Sequence, residues 1–273
     1  MKKGFSLAEV LITLAVVGVI AALTIPTIVN EHKKKVWVNS MVVAMSDFEN
    51  AMTAMIMKEN TDTIFDTKAW RDLNEVDLKY ESESEQVNTF MYNVGKVLPL
   101  TSWGKPADYY PLKKDVRVRN LNPTIKMDAV RASLADNYLM FASKKGPAYG
   151  LYIYATPESY DSGGTTITEQ DVINRGTDFF QVAGQVVIDI NGKQLPNTIG
   201  RDIFHFYLGQ NGKLYPMGSK DHCLRQNNNP TCGKHWSNTL TMPFGCPDDV
   251  RQAAIVVNTC AARIIEKGYK MDY

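Results

Sequence analysis

Residues 5–25 read FSLAEVLITLAVVGVIAALTI, an apolar run of 21 residues interrupted by one charge, Glu9. Pro26, Thr27, Ile28 and Val29 extend its apolar character. A helix rises about 1.5 Å per residue, so about 20 residues cross a hydrocarbon core of about 30 Å. The run is long enough for that, and longer than the apolar region of about 7–15 residues in a secretory signal. The residues just beyond it, Pro26-Thr27-Ile28-Val29-Asn30-Glu31, offer no convincing small-x-small cleavage site. Hydropathy alone reads a signal anchor.

Two details go beyond a plain anchor. Glu9 sits about one turn inside the apolar helix, where a carboxylate costs on the order of 3 kcal/mol and usually has a partner. No Lys, Arg or His lies in the same span, which directs the search to a chain terminus, a lipid headgroup or another protein. The second detail is the short basic leader Lys2-Lys3-Gly4 before Phe5. Cleavage after Gly4 would place a new α-amine one helical turn from Glu9.

The segment Lys2-Lys3-Gly4-Phe5-Ser6-Leu7-Ala8-Glu9-Val10-Leu11 resembles the processing motif of type IV pilins and type II secretion pseudopilins. The likeness covers about the first 30 residues. It implies cleavage after Gly4 by a prepilin peptidase, N-methylation of Phe5, and a need for Glu9 in assembly. It also implies a helix break at Pro26. In a filament of packed helices, Glu9 of one subunit would pair with the Phe5 amine of its neighbour. Such pairing offsets the burial of both charges and fixes their register. Pro26 removes one backbone N–H and crowds the preceding turn, though membranes tolerate such kinks.

The implied partners are the prepilin peptidase/N-methyltransferase, other pilin or pseudopilin subunits, an inner-membrane assembly platform and membrane lipid. The implied location is the inner membrane, single-pass with the head outside the cytoplasm, and then the pilus or pseudopilus. Charge alone leaves the orientation open, since Lys2 and Lys3 on one side oppose His32-Lys33-Lys34-Lys35 on the other. With the head outside, the lysines are a solvated or snorkelling face at the outer headgroups.

The helical period continues past the apolar run. Trp37, Met41, Met45, Phe48, Met52, Met55 and Ile56 fall on one stripe, with Asn39, Asp47, Glu49, Asn50, Lys58 and Glu59 opposite. A methionine-rich stripe serves either a promiscuous surface or a core; here it suits the seat of a globular head. Residues 60–63, Asn-Thr-Asp-Thr, end the helix. The predicted organisation is therefore a leader at 1–4, a transmembrane helix at 5–30, an amphipathic stalk at 31–60 and a head at 61–273.

Within the head, residues 61–136 are mixed, with helical pieces at 70–73 and 86–97, a carboxylate-rich stretch at 75–85 and a loop from Trp103 to Pro111. From about residue 137 short apolar or alternating runs predict strands at 138–142, 150–155, 185–190, 203–208 and 213–215. Asn211-Gly212 is a hairpin signal, Asn191-Gly192 another turn, and 157–164 a loop. The fold class is α+β: a long N-terminal helix packed on an antiparallel sheet, the head architecture of pilins. A last helix is expected from Pro247-Asp248-Asp249, with Val250, Ala254, Val257, Ala261, Ile264 and Ile265 buried and Gly268 as its stop.

The chain's four cysteines, Cys223, Cys232, Cys246 and Cys260, all lie near its end. An even cluster in an exported domain suggests two disulfides, and three pairings are possible. Cys223–Cys232 and Cys246–Cys260 close the shortest loops, and C-terminal disulfide loops are common in the family the leader resembles. A zinc site from His222, Cys223, Cys232 and His235 is the competing reading, though close Cys-x₂₋₄-Cys spacing is missing. Asp189, Asn191, Asn197 and Asp202 resemble the Asp/Asn-rich loops that hold Ca²⁺ in some pseudopilin heads. The spacing is not an EF-hand, because Gly200 stands where a bidentate Glu is needed. The alternative is a turn-rich loop. No cofactor is expected, and Ca²⁺ at this loop is the alternative left open.

The composition excludes a polytopic membrane protein and a disordered chain: of 273 residues, 44% are hydrophobic and 22% charged. There is no Gly-x-Ser-x-Gly, His-Glu-x-x-His, phosphate loop or dinucleotide fingerprint, so an enzyme is not expected. The formal charge of +1 becomes −2 from residue 36 onward. Nucleic acid is therefore not an expected partner, and Asp115 dilutes the basic cluster Lys113, Lys114, Arg117 and Arg119. The function read from sequence is a structural and assembly subunit of a type IV pilus or a type II secretion pseudopilus. A minor tip subunit acting as a binding module, for DNA, a surface or a secreted substrate, is the alternative, and a membrane-tethered enzyme a more distant one.

Overall fold

The computed structural model describes residues 6–76, 81, 83–104, 119, 121, 138–153, 178–179, 182–192, 194–195, 197–218, 222–223, 225–226, 229–230, 246 and 259–273. Its axis is one helix, α1 (Leu7–Glu59), 53 residues long and so about 80 Å from end to end. Asn60 ends it in the left-handed conformation (φ 51°), its N–H reaching the carbonyls of Ile56 and Met57. Asn is one of the few residues to accept that geometry, so the polar stop at residue 60 is set by its own backbone chemistry.

Only the distal part of α1 is covered. Val38, Met41, Ala44, Phe48, Ala51, Met52, Met55 and Ile56 are buried, whereas the large apolar side chains between Leu7 and Val36 are exposed. Trp37 and Met45 flank the core, half-buried. The predicted stripe is present but wider than the large residues alone indicate. Val38, Ala44 and Ala51 line it too, and small side chains allow close approach: the Tyr149 hydroxyl donates to the Ala44 carbonyl at 3.3 Å.

Beside α1 lie a single 3₁₀ turn at Ile64–Asp66, then α2 (Lys68–Asn74) and α3 (Glu85–Gly95). Thr67 and Ser84 cap the two helices, accepting from the N–H groups of Trp70 and Val87. Trp70, fully buried, meets Phe90 edge-on at 6.1 Å and joins the two.

The strands are β1 (Leu100–Gly104), β2 (Leu139–Ser143), β3 (Ala148–Ile153), β4 (Asp178–Phe179), β5 (Val182–Asp189), β6 (Ile203–Gly209) and β7 (Leu214–Pro216). Six form one antiparallel sheet in the order β1-β2-β3-β5-β6-β7. β4 pairs in parallel with β8 (His222–Cys223), and β9 (Arg225–Gln226) pairs antiparallel with β10 (Asn229–Pro230). Register aligns Phe141, Tyr149, Ile188 and Phe204 in one row across four strands, all buried. Phe48 of α1 stacks on that row, 6.3 Å from Phe141 and 5.8 Å from Tyr149. The α+β expectation is met: helix on antiparallel sheet.

The β-hairpin signal at Asn211-Gly212 has a second role. Gly212 (φ 77°) lies against α1, where a Cβ would come within 3.2 Å of Met52 Cβ and 3.3 Å of Thr53 N. From the same hairpin, Leu214 N donates to Glu49 Oε1 at 2.8 Å, and Lys145, between β2 and β3, pairs with Asp47 of the same helical turn at 2.8 Å. The polar face of the stalk is thereby fastened to the head.

Two expectations need correction. α1 runs through Pro26 as one helix, without the expected break. Proline forfeits a single hydrogen bond, and the turns on both sides remain bonded. Leu100–Gly104, read as mixed sequence running into a loop at Trp103, is an edge strand. Its half-exposed residues give no clean alternation, and pairing with β2 decides its conformation. The expected loops at 105–111 and 157–164, the basic residues Lys113, Lys114 and Arg117, and residues 247–258 of the last helix lie outside the described residues. That helix is described as α4 (Cys260–Glu266), and Gly268 (φ 71°) comes just after its end as expected.

Candidate assembly site at the helix N-terminus

The first turn of an α-helix leaves backbone N–H groups without intrahelical partners. Ser6 stands at this position with extended backbone (φ −76°, ψ 151°), and its hydroxyl accepts from Glu9 N at 3.2 Å. Glu9 answers: Ser6 N donates to Glu9 Oε2 at 2.8 Å, and the Ser6 hydroxyl donates to the same oxygen at 2.9 Å. This reciprocal capping box gives Glu9 a local partner that a search for opposite charges overlooks. The signal was present as Ser-x-x-Glu ahead of an apolar run. Both residues are exposed, with the carboxylate held at the start of a helix whose dipole favours negative charge. Gly4 and Phe5 lie outside the described residues.

α1 is long and apolar enough to cross a membrane, and none of its apolar window is buried in the protein. Its hydroxyls are absorbed internally, Thr13 donating to the Val10 carbonyl and Thr24 to that of Ile20, each at 2.9 Å. Such back-bonding leaves little polar surface for lipid or neighbouring helices to satisfy. Beyond the apolar stretch, Lys34 pairs with Glu31 at 3.2 Å.

The loop considered for Ca²⁺ brings its residues close together in a different arrangement. Asp202, fully buried, accepts from Thr198 N at 2.5 Å, Asn197 N at 2.6 Å and Asn191 Nδ2 at 3.1 Å. Burial pushes its carboxyl above the ordinary range, and these N–H donors pull against that shift. Asp189 Oδ1 accepts from Asn191 N at 3.2 Å. A carboxylate that collects N–H groups in this way locks a turn. Among the described residues, no three His, Cys, Asp or Glu side chains are grouped to hold a metal ion.

Cys246 and Cys260 are joined by a disulfide across 14 positions. It anchors the start of α4, and Arg263 of that helix donates to the Cys246 carbonyl at 3.1 Å and to Asp272 at 2.7 Å. The zinc alternative and the Cys223–Cys232 pair fall on Cys232, His235 and the side chains of His222 and Cys223, all outside the described residues.

The family model of the prokaryotic N-terminal methylation motif matches residues 1–25. The chain carries the prepilin-type signature. The signature belongs to type IV pilins and pseudopilins, and it implies processing by prepilin peptidase and assembly with other pilin subunits. The families that carry the signature are structural rather than enzymatic, and together with the apolar helix it supports a membrane-anchored, pilin-like subunit. No curated protein and no solved structure matches the chain.

Proposed function

We infer that the chain is a building subunit of a type IV pilus or of a type II secretion pseudopilus. Cleavage after Gly4 and methylation of Phe5 prepare it, the apolar half of α1 holds it in the inner membrane, and the head faces away from the cytoplasm. The boundaries proposed are a leader at 1–4, a membrane segment at 5–30, a stalk at 31–60 and a head at 61–273. One observation carries the reading: the methylation motif opens a single helix whose first half is apolar and uncovered and whose second half is the core of a head. A filament of side-by-side helices would cover the first half. The Glu9 carboxylate, on the exposed start of α1, would exchange its Ser6 contacts for a neighbour's Phe5 amine.

Intact-mass measurement of membrane-extracted protein tests this. The expected product begins at Phe5 and carries one added methyl group. A mature terminus beyond Ala22 would identify an ordinary signal peptide and overturn the reading.

A further inference from the structure

Where the apolar stretch of α1 gives way to its charged stretch, the C-terminal tail closes back on the helix. A cleft of about 390 Å³ opens there, lined on α1 by Glu31, Lys33, Lys34 and Trp37 and on the head by Arg201 and Tyr273. Its size suits a small ligand group. Among its charged side chains Lys33, Lys34 and Arg201 outnumber Glu31, and Lys34 is already paired with it. The Arg201 guanidinium lies 5.6 Å over the Trp37 ring, which holds the charge in place.

The head side of this cleft is built rigidly. Asp202 locks the turn that carries Arg201, and the Tyr273 hydroxyl donates to the Gly200 carbonyl of that turn. The Arg263–Asp272 pair fixes the tail from behind. Trp and Tyr favour the boundary between lipid and water, and Lys and Arg beside a membrane attract phosphate groups. Exposed Ile25, Ile28 and Val29 flank the first α1 residues of the cleft, Thr27 and Asn30, which sets it beside the end of the apolar stretch.

We propose that this cleft binds the phosphodiester headgroup of an anionic phospholipid and sets the height of the head above the bilayer. The proposal rests on the membrane-anchored reading of α1. It requires selectivity for anionic lipid beyond the insertion of the apolar helix, which any bilayer supports.

The test is native mass spectrometry of the full chain in detergent, with phosphatidylglycerol or phosphatidylcholine of identical acyl chains, with and without millimolar inorganic phosphate. One phosphatidylglycerol should be retained in preference to phosphatidylcholine, and phosphate should not displace it. Lys33→Glu, an exposed change, should lower that preference at least about fivefold, as should Arg201→Ala, each removing a cation from the surface. Equal retention of the two lipids, or unchanged preference in Lys33→Glu, would overturn the proposal. Displacement by inorganic phosphate would also overturn it, by making the ligand a soluble anion. Flotation with phosphatidylcholine liposomes separates the two readings. A chain that does not float refutes the anchor, and one that floats with equal lipid retention refutes only the headgroup site.

Discussion

Glu9 has two roles that substitution can separate. As the third residue of α1 it closes a capping box, a task an amide side chain also performs. As a charge it is the proposed partner of a neighbour's amine, a task an amide cannot perform. Glu9→Gln and Glu9→Leu should both insert and be cleaved, and both should be missing from filaments sheared from cells and probed by immunoblot. Ser6→Ala, which weakens the cap and spares the charge, should still enter them. Filaments containing Glu9→Gln at wild-type level would mean that the cap, and not the ion pair, is what assembly needs.

At the scale of elements, the hairpin tip against α1 and the disulfide ahead of α4 are the points most open to test. Gly212→Ala asks an alanine to adopt φ 77° and to place a Cβ against Met52, with an expected loss of about 1–2 kcal/mol in denaturant unfolding. Cys246→Ser with Cys260→Ser removes a short covalent loop, worth about 3 kcal/mol in the chain-entropy model, and should lower the Tm. These elements show what a sequence displays. Met41, Phe48, Met52 and the Asn-Gly turn announce themselves because size, period and turn chemistry are local properties. Ala44 and Ala51 do not, since a small residue becomes core only when something such as Tyr149 approaches it. The Asp202 lock was legible as an Asp/Asn-rich loop but not as a lock, because its two shortest bonds come from backbone N–H groups, which every sequence contains. β1 was hidden for a related reason: its partner β2 comes some 40 residues later, and that pairing makes it a strand.

The whole molecule should respond to pH through His205. It sits fully enclosed on β6, on the sheet face away from Phe48, and its Nε2 has no hydrogen-bond partner among the described residues. Burial pushes its pKa from 6.5 down to about 4. The unfolded chain therefore takes up the proton first. Stability is complete above about pH 6.5 and declines as pH falls toward 4, by about 3 kcal/mol in all. Denaturant unfolding of the detergent-solubilised chain at pH 7, 5.5 and 4 should show that decline, and His205→Phe should flatten it over the same window. An equal decline in the variant would assign acid sensitivity to other groups.

Because one helix is both the membrane end and the spine of the head, there is no joint between them to yield. A pull on the membrane end travels along the α1 axis into the buried stretch from Val38 to Ile56, about 27 Å of it. There the tension is spread over several turns of side chains and over the Asp47–Lys145 and Glu49–Lys213 pairs, instead of concentrating at one residue. Contacts loaded in parallel along a rod share the force and give way together. Under tension, the head should therefore leave the helix as a unit, with its sheet still intact.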